Sequence, residues 1–336
     1  MSTELASSVS YGVSSRLGHL DSLRGLACLA VTWFHMTNTY TDLSWARGSG
    51  YWGWLGVEVF FVISGFIIPY ALYRGNYAGV QDFGLFLKKR LLRLEPPYIA
   101  SMLIIILLSW VVMRVPGFHG SQPDYNAWRL FSHLGYLTGI AGQEWLNVVY
   151  WTLGIEFQFY LLVGLFFTLM MWASSLQFLI GAVIMAALPY IVPNSSWVVS
   201  YLGLFVAGLA CFRYRIGQDG RNQHIFFLLI ISIVLAGSMS RSVALTVFFS
   251  AAAISFCEKL SSVGLDYLGK ISFSLYLLHV PIGGKVVNLL SRFGSGQLWE
   301  LMASLLGLVA SVLAAIIFFH FVERPAMKWS SRIRYS

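Results

Sequence analysis

Six ionisable side chains, Arg24, His35, Glu58, Glu156, His279 and His320, stand in stretches of the sequence that are otherwise apolar. An ionisable group inside a bilayer costs about 2.5 to 3.5 kcal/mol on insertion scales, so each needs a partner or a task. Arg24 and His35 are 11 residues apart, which in a helix is three turns plus about 20° and about 16 Å along the axis. Both therefore project from nearly one face. An arginine at the membrane surface and a histidine deeper in would suit a ligand whose charged end stays outside while its reactive end reaches inward. Histidine is also the side chain best placed by its ordinary pKa to take and return a proton near neutral pH. The competing reading is a satisfied polar pair within a helical bundle.

Glu156 lies in Trp151-Thr-Leu-Gly-Ile-Glu156-Phe-Gln-Phe-Tyr160, with Thr152 and Tyr160 four residues to either side on its own face. Such a carboxylate can orient His35 and stabilise its cation, or it can neutralise a buried arginine. Glu58, in Gly56-Val-Glu-Val-Phe-Phe-Val-Ile-Ser-Gly65, has the same two readings, and the adjoining Ser64-Gly65 pair suits close helix approach. Ser272, Tyr276 and His279 fall at i, i+4 and i+7 ahead of Pro281. They form a polar stripe on a kinked helix, able to bind a hydroxyl substrate or to bond a neighbouring helix. Arg90 and Arg93 share a face in Lys88-Lys-Arg90-Leu-Leu-Arg93-Leu-Glu-Pro-Pro97, just before an apolar run. They can clamp phosphates bidentately, while Lys88 and Lys89 read as a basic membrane flank. Cys28, Cys211 and Cys257 are odd in number, far apart and set among apolar residues, so packing rather than metal binding is expected of them.

The elements that position these groups follow from composition. Of 336 residues, 57% are hydrophobic and only 11% charged, against about 25% charged in a soluble domain. Ten apolar runs are long enough to cross a bilayer, near 22–42, 51–73, 97–114, 145–172, 176–192, 196–212, 223–239, 242–257, 271–290 and 298–320. The stretch 128–140 is too short and mixed to cross. An all-α integral membrane protein of about ten transmembrane helices in one bundle is expected. Placing both termini in the cytoplasm puts 16 of 22 basic residues inside, leaving Arg47, Arg114, Arg129, Arg241, Lys285 and Arg292 outside. Trp45, Tyr51, Trp52, Trp54 and Trp145 then read as outer interfacial anchors. Residues 1–20 form a cytoplasmic tail without signal-peptide features, 21–322 one multispan domain and 323–336 a basic cytoplasmic tail. The net charge of +8 is spread over short inter-span segments, which argues against a nucleic-acid partner.

Taken in order, these motifs resemble the acyltransferase-3 family of multispan O-acyltransferases. Leu20-Asp-Ser-Leu-Arg24 followed by ten residues and His35 is similar to the family's opening Arg-x10-His signature. Gly56 to Phe66, Arg90-Leu-Leu-Arg93, Trp151 to Tyr160, Ser272 to Pro281 and Glu323-Arg324-Pro325 resemble its later motifs. The resemblance implies an acyl-CoA co-substrate, acetyl-CoA by preference, entering from the cytoplasm of a bacterial inner membrane, and a hydroxyl of an envelope or secreted carbohydrate as acceptor. It implies that His35 is essential to transfer and that the arginines lie near the CoA phosphates. Some relatives carry a further periplasmic esterase-like domain, so the membrane domain here is expected to act alone or with a separate partner.

The expected site thus has His35 as general base and Glu156 orienting it. Arg24, Arg90 and Arg93 hold the donor phosphates, and Glu58, Tyr160, Ser272, Tyr276 and His279 support the site or bind acceptor. No metal and no permanently bound cofactor are expected, and the oligomeric state is left open. The rival reading is a secondary transporter or flippase that uses Arg24, His35, Glu58 and Glu156 as a relay.

Overall fold

A computed structural model describes residues 18–114, 125–193, 196–259 and 261–335. Most of the expected N-terminal tail, with Arg16, lies outside the described residues. Every regular element among them is helical: α1 (Gly18–Thr37), α2 (Trp45–Gly50), α3 (Gly56–Arg74), α4 (Phe83–Val112), α5 (Ala127–His133), α6 (Trp151–Trp172), α7 (Ser175–Ala187), α8 (Leu202–Arg215), α9 (Arg221–Ser238), α10 (Arg241–Phe256), α11 (Val263–Lys270), α12 (Ser272–Leu278), α13 (Lys285–Leu290), α14 (Gln297–Phe318) and α15 (Arg324–Ser331). Seven helical segments among the described residues are long and apolar enough to cross a membrane, running over 45–74, 80–112, 151–172, 198–215, 221–238, 272–290 and 297–331. Three of the ten expected spans fall short of that standard. The first, α1, has the length but is diluted by His19, Asp21, Arg24 and His35. The other two, α7 and α10, have 13 and 16 residues, about 20 and 24 Å of helix against a hydrocarbon layer of about 30 Å.

Other differences from expectation have local causes. α4 runs unbroken through Pro96 and Pro97, so Arg90 and Arg93 sit within a long helix rather than in a flank ahead of one. Pro281 is absorbed by a π-helical turn over His279–Gly284, and a second π turn, Phe319–Glu323, joins α14 to α15. Stretch 128–140 contains only the seven-residue α5 and turns. Trp45, Tyr51 and Trp52 are exposed as anchors should be, whereas Trp54 and Trp145 pack against the core. Cys28 and Cys211 are buried, but Cys257 is exposed at the end of α10 and is not a packing residue.

Two buried clusters fill the bundle. One centres on α3, α6, α7, α8, α9 and α10, through Phe61, Phe66, Phe159, Phe205 and Phe227. The other joins α1, α4, α12 and α14 through Cys28, Val31, Tyr98, Leu275 and Phe318. Within lipid no hydrophobic force drives helices together, so close backbone approach has to supply the contact. It does so where α3 crosses α8: a Cβ on Gly65 would fall 2.0 Å from the Phe205 carbonyl oxygen, and one on Gly208 2.0 Å from that of Val62. Gly208→Val should therefore destabilise the bundle by about 3 kcal/mol, the upper end of overpacking costs. Thermal unfolding in detergent checks this; an unchanged midpoint would contradict the contact.

Candidate functional site

Between the two clusters, α1, α3, α4, α6 and α12 enclose a cavity of about 170 Å³. Its walls bring together most of the residues singled out by their chemistry: Arg24, Arg90, Arg93, Glu156, Tyr160, Ser272 and Tyr276 all line it, with Ser64, Thr152 and apolar side chains of α3. The helical spacing explains the assembly. Arg90 and Arg93 are one turn apart on α4, and Thr152, Glu156 and Tyr160 occupy successive turns of one face of α6.

The electrostatics of this cavity are lopsided. Three guanidinium groups face it, and among the described residues none of them makes an ion pair. Arg24 donates to Ser272 Oγ at 3.1 Å. Arg90 lies over the Tyr160 and Phe86 rings, 5.1 and 5.6 Å from their centroids. Glu156 accepts a 2.7 Å bond from Ser64 Oγ. Glu323, a buried acid beyond the wall and within electrostatic reach of Arg24 and Arg93, is itself occupied by the backbone N–H and hydroxyl of Ser274. Like charges gathered in a low-dielectric cavity repel unless an anion joins them. The lining thus combines three guanidinium groups and the Glu156 carboxylate with an apolar stretch along α3, a surface whose net positive charge suits an anion.

Tyr276, one turn on from Ser272, also lines the cavity, its hydroxyl 2.7 Å from Thr152 Oγ1 and 3.1 Å from the Val149 carbonyl oxygen. His35 does not line the cavity. Its ring is half-buried, and its aromatic neighbours are Phe34 and His279, each with a centroid 5.1 Å away. Neither Glu156 nor any other carboxylate among the described residues is bonded to it. The expected Glu156–His35 dyad is thus not formed: Glu156 is turned to Ser64 and the arginine cavity. His279 is fully buried, with its ring centroid 5.7 Å from that of Tyr276. Glu58 is buried in the first turn of α3, away from the cavity lining, and its Oε2 has no partner.

On the other face of α6 a second cavity, of about 400 Å³, is lined by Trp145, Trp151, Tyr201, Gln143 and Gln158. Trp151 and Tyr201 pack on Phe61, a lining residue of the arginine cavity, so one aromatic wall separates the two.

A family model described as an acyltransferase domain matches residues 17–320 of this sequence. The chain belongs to the acyltransferase-3 family. Among relatives, the O-acetyltransferase OatA of Staphylococcus aureus (strain NCTC 8325 / PS 47) is 26% identical over 92% of this chain and 57% of its own length. The peptidoglycan O-acetyltransferase OatA of Listeria monocytogenes is 27% identical over 49% of this chain and 26% of its own length. The chain therefore spans little more than half of the first of these family members. No solved structure matches it.

Three features of this acyltransferase-3 chain were not drawn from its sequence. Ser64 appeared as a small packing residue, yet it is the hydrogen-bond donor to Glu156. Glu323 was legible only as part of a terminal motif, and the π turn that buries it has no simple periodic signature. The pairing of His35 with His279 depends on how α12 lies against α1, which no spacing along either segment encodes.

Proposed function

We propose that this chain is a membrane O-acyltransferase that moves an acetyl group from acetyl-CoA to a hydroxyl of a cell-envelope carbohydrate. The observation that carries the reading is the cluster of Arg24, Arg90 and Arg93 facing one cavity with no acid paired to them among the described residues. Arginine recognises phosphate through a fork of parallel hydrogen bonds, and the CoA pyrophosphate supplies the missing anions. The apolar lining along α3 then receives the pantetheine arm and directs the thioester toward Tyr276 and the histidines. The printed names of the relatives, O-acetyltransferases and in one case a peptidoglycan O-acetyltransferase, support acetyl as the group moved and an envelope glycan as acceptor. Rings beside amide groups in the second cavity offer the flat faces and polar edges that a sugar needs.

In this mechanism His35 removes the proton from the acceptor hydroxyl as its oxygen attacks the thioester carbon. The C–S bond breaks, and the proton passes from His35 to the departing CoA thiolate. Glu156, turned away from His35, offsets part of the arginine charge and holds Ser64. Ten spans with both termini in the cytoplasm of a bacterial inner membrane would place Arg90 and Arg93 on the side where acetyl-CoA is made, and the count of basic residues supports that orientation.

The test needs no acceptor. Purified protein in detergent should bind labelled acetyl-CoA saturably and hydrolyse it slowly, with water replacing the acceptor. A folded protein that neither binds nor hydrolyses acetyl-CoA would overturn the reading in favour of transport.

A further inference from the structure

We infer that His279 is the residue that positions His35, resting on the acyltransferase reading above: it accepts the N–H of one His35 nitrogen and so leaves the other free to act as base. The first ground is an unexplained buried group. His279 Nδ1 lies 3.0 Å from the Leu275 carbonyl oxygen, and a carbonyl only accepts, so Nδ1 carries the proton. Nε2 is then a bare lone pair. It is buried and has no partner, although buried acceptors are as a rule satisfied.

The second ground is elimination among its neighbours. Two side-chain rings pack against His279, those of His35 and Tyr276. The Tyr276 hydroxyl is committed to Thr152 and the Val149 carbonyl. The His35 ring has no hydrogen bond among the described residues, and a 5.1 Å separation of ring centroids leaves its N–H within reach of Nε2 after a modest turn about χ2. Each histidine holds the half of a bond that the other lacks.

The third ground is the backbone. The π turn starts at His279, and such turns concentrate at functional positions because they re-aim a side chain at the cost of a regular bond. Here the turn packs on α14 where small residues admit it: a Cβ on Gly283 would fall 2.1 Å from Ser311 Oγ and 2.7 Å from the Gly307 carbonyl oxygen. The ring is thus fixed from its own helix by Leu275, and the backbone that carries it is held against α14.

During transfer, His35 takes the acceptor's proton on its free nitrogen while its second N–H donates to His279 Nε2. His279 stays neutral throughout, and the proton leaves with the CoA thiol. This is the role that a carboxylate performs in better-known triads, filled by a neutral ring that avoids burying another charge.

Three substitutions test it: His279→Gln, whose amide oxygen can accept from His35 while its NH2 donates to Leu275; His279→Asn, one methylene too short to do both; and His279→Leu. Acetyl-CoA binding and hydrolysis are measured on each. The expected result is unchanged binding in all three, hydrolysis within about fivefold of wild type for Gln, and a kcat loss of about 10-fold to 100-fold for Asn and Leu, part of the 10² to 10⁴ that a positioned base supplies. Should Leu misfold, the Gln and Asn pair carries the comparison. Equal hydrolysis by wild type, Asn and Gln overturns this assignment alone, as does equal loss in Asn and Gln. A folded wild type without acetyl-CoA binding overturns the donor reading and this assignment with it.

Discussion

Replacing Arg90 and Arg93 together with alanine is expected to weaken acetyl-CoA binding by at least about 10²-fold, since a hydrogen bond to a charged group contributes about 1.5 to 3 kcal/mol and each 1.4 kcal/mol is tenfold. The two effects need not add, because both groups grip one pyrophosphate. A double lysine variant should recover charge but not the bidentate fork, and so bind between wild type and the alanine form. What makes the prediction specific is its effect on the empty protein. Arg24, Arg90 and Arg93 line one cavity and pair with no acid among the described residues, so deleting two of them relieves repulsion. Without ligand, the double alanine protein should unfold at no lower temperature than wild type. CoA should raise the wild-type midpoint, by the linkage of binding to stability, and leave that of the variant unmoved. Scanning fluorimetry with and without CoA reads both. A wild-type midpoint indifferent to CoA, or an undiminished shift in the variant, would show that the arginines do not hold the donor.

The arginine cavity was legible in the sequence because its determinants are local. Arg90 and Arg93 are one helical turn apart, as are Thr152, Glu156 and Tyr160, and a period of 3.6 residues places each set on one face before any tertiary contact is known. Only the meeting of the two faces needed the fold. His35 shows where such reasoning stops. Its helical register with Arg24 suggested one shared site, but 16 Å of helix is enough for the two to serve different compartments. Arg24 enters the cavity and bonds Ser272, while His35 lies outside its lining and packs on His279. Glu156 illustrates the same point: its sequence position shows a carboxylate within an apolar helix, not that Ser64 is its hydrogen-bond donor. Seven of the ten expected spans meet the length and apolarity of a crossing helix among the described residues, and the other three fall short for local reasons. α1 is diluted by His19, Asp21, Arg24 and His35, of which Arg24 lines the cavity, and α7 and α10 are short.

His35→Ala should show the converse signature of the arginine variants: donor binding retained, turnover lost. The residue contributes no surface to the cavity, so the dissociation constant for acetyl-CoA should stay within about twofold of wild type, the ordinary scatter of a change that touches no ligand. Hydrolysis and transfer should fall by about 10² to 10⁴, the contribution of a positioned general base. A lowered kcat at constant affinity is the mark of a group that acts in the transition state only. The neighbouring His279 sharpens the outcome. With His35 gone, its unpartnered Nε2 remains buried without a donor, so adding His279→Leu to His35→Ala should cost nothing further in rate, whereas two residues that acted independently would lose activity multiplicatively. The double-mutant cycle is read from acetyl-CoA hydrolysis and needs no acceptor. Full activity in His35→Ala would remove the base from the mechanism. Additive losses in the cycle would separate the two histidines and leave His35 to act unaided.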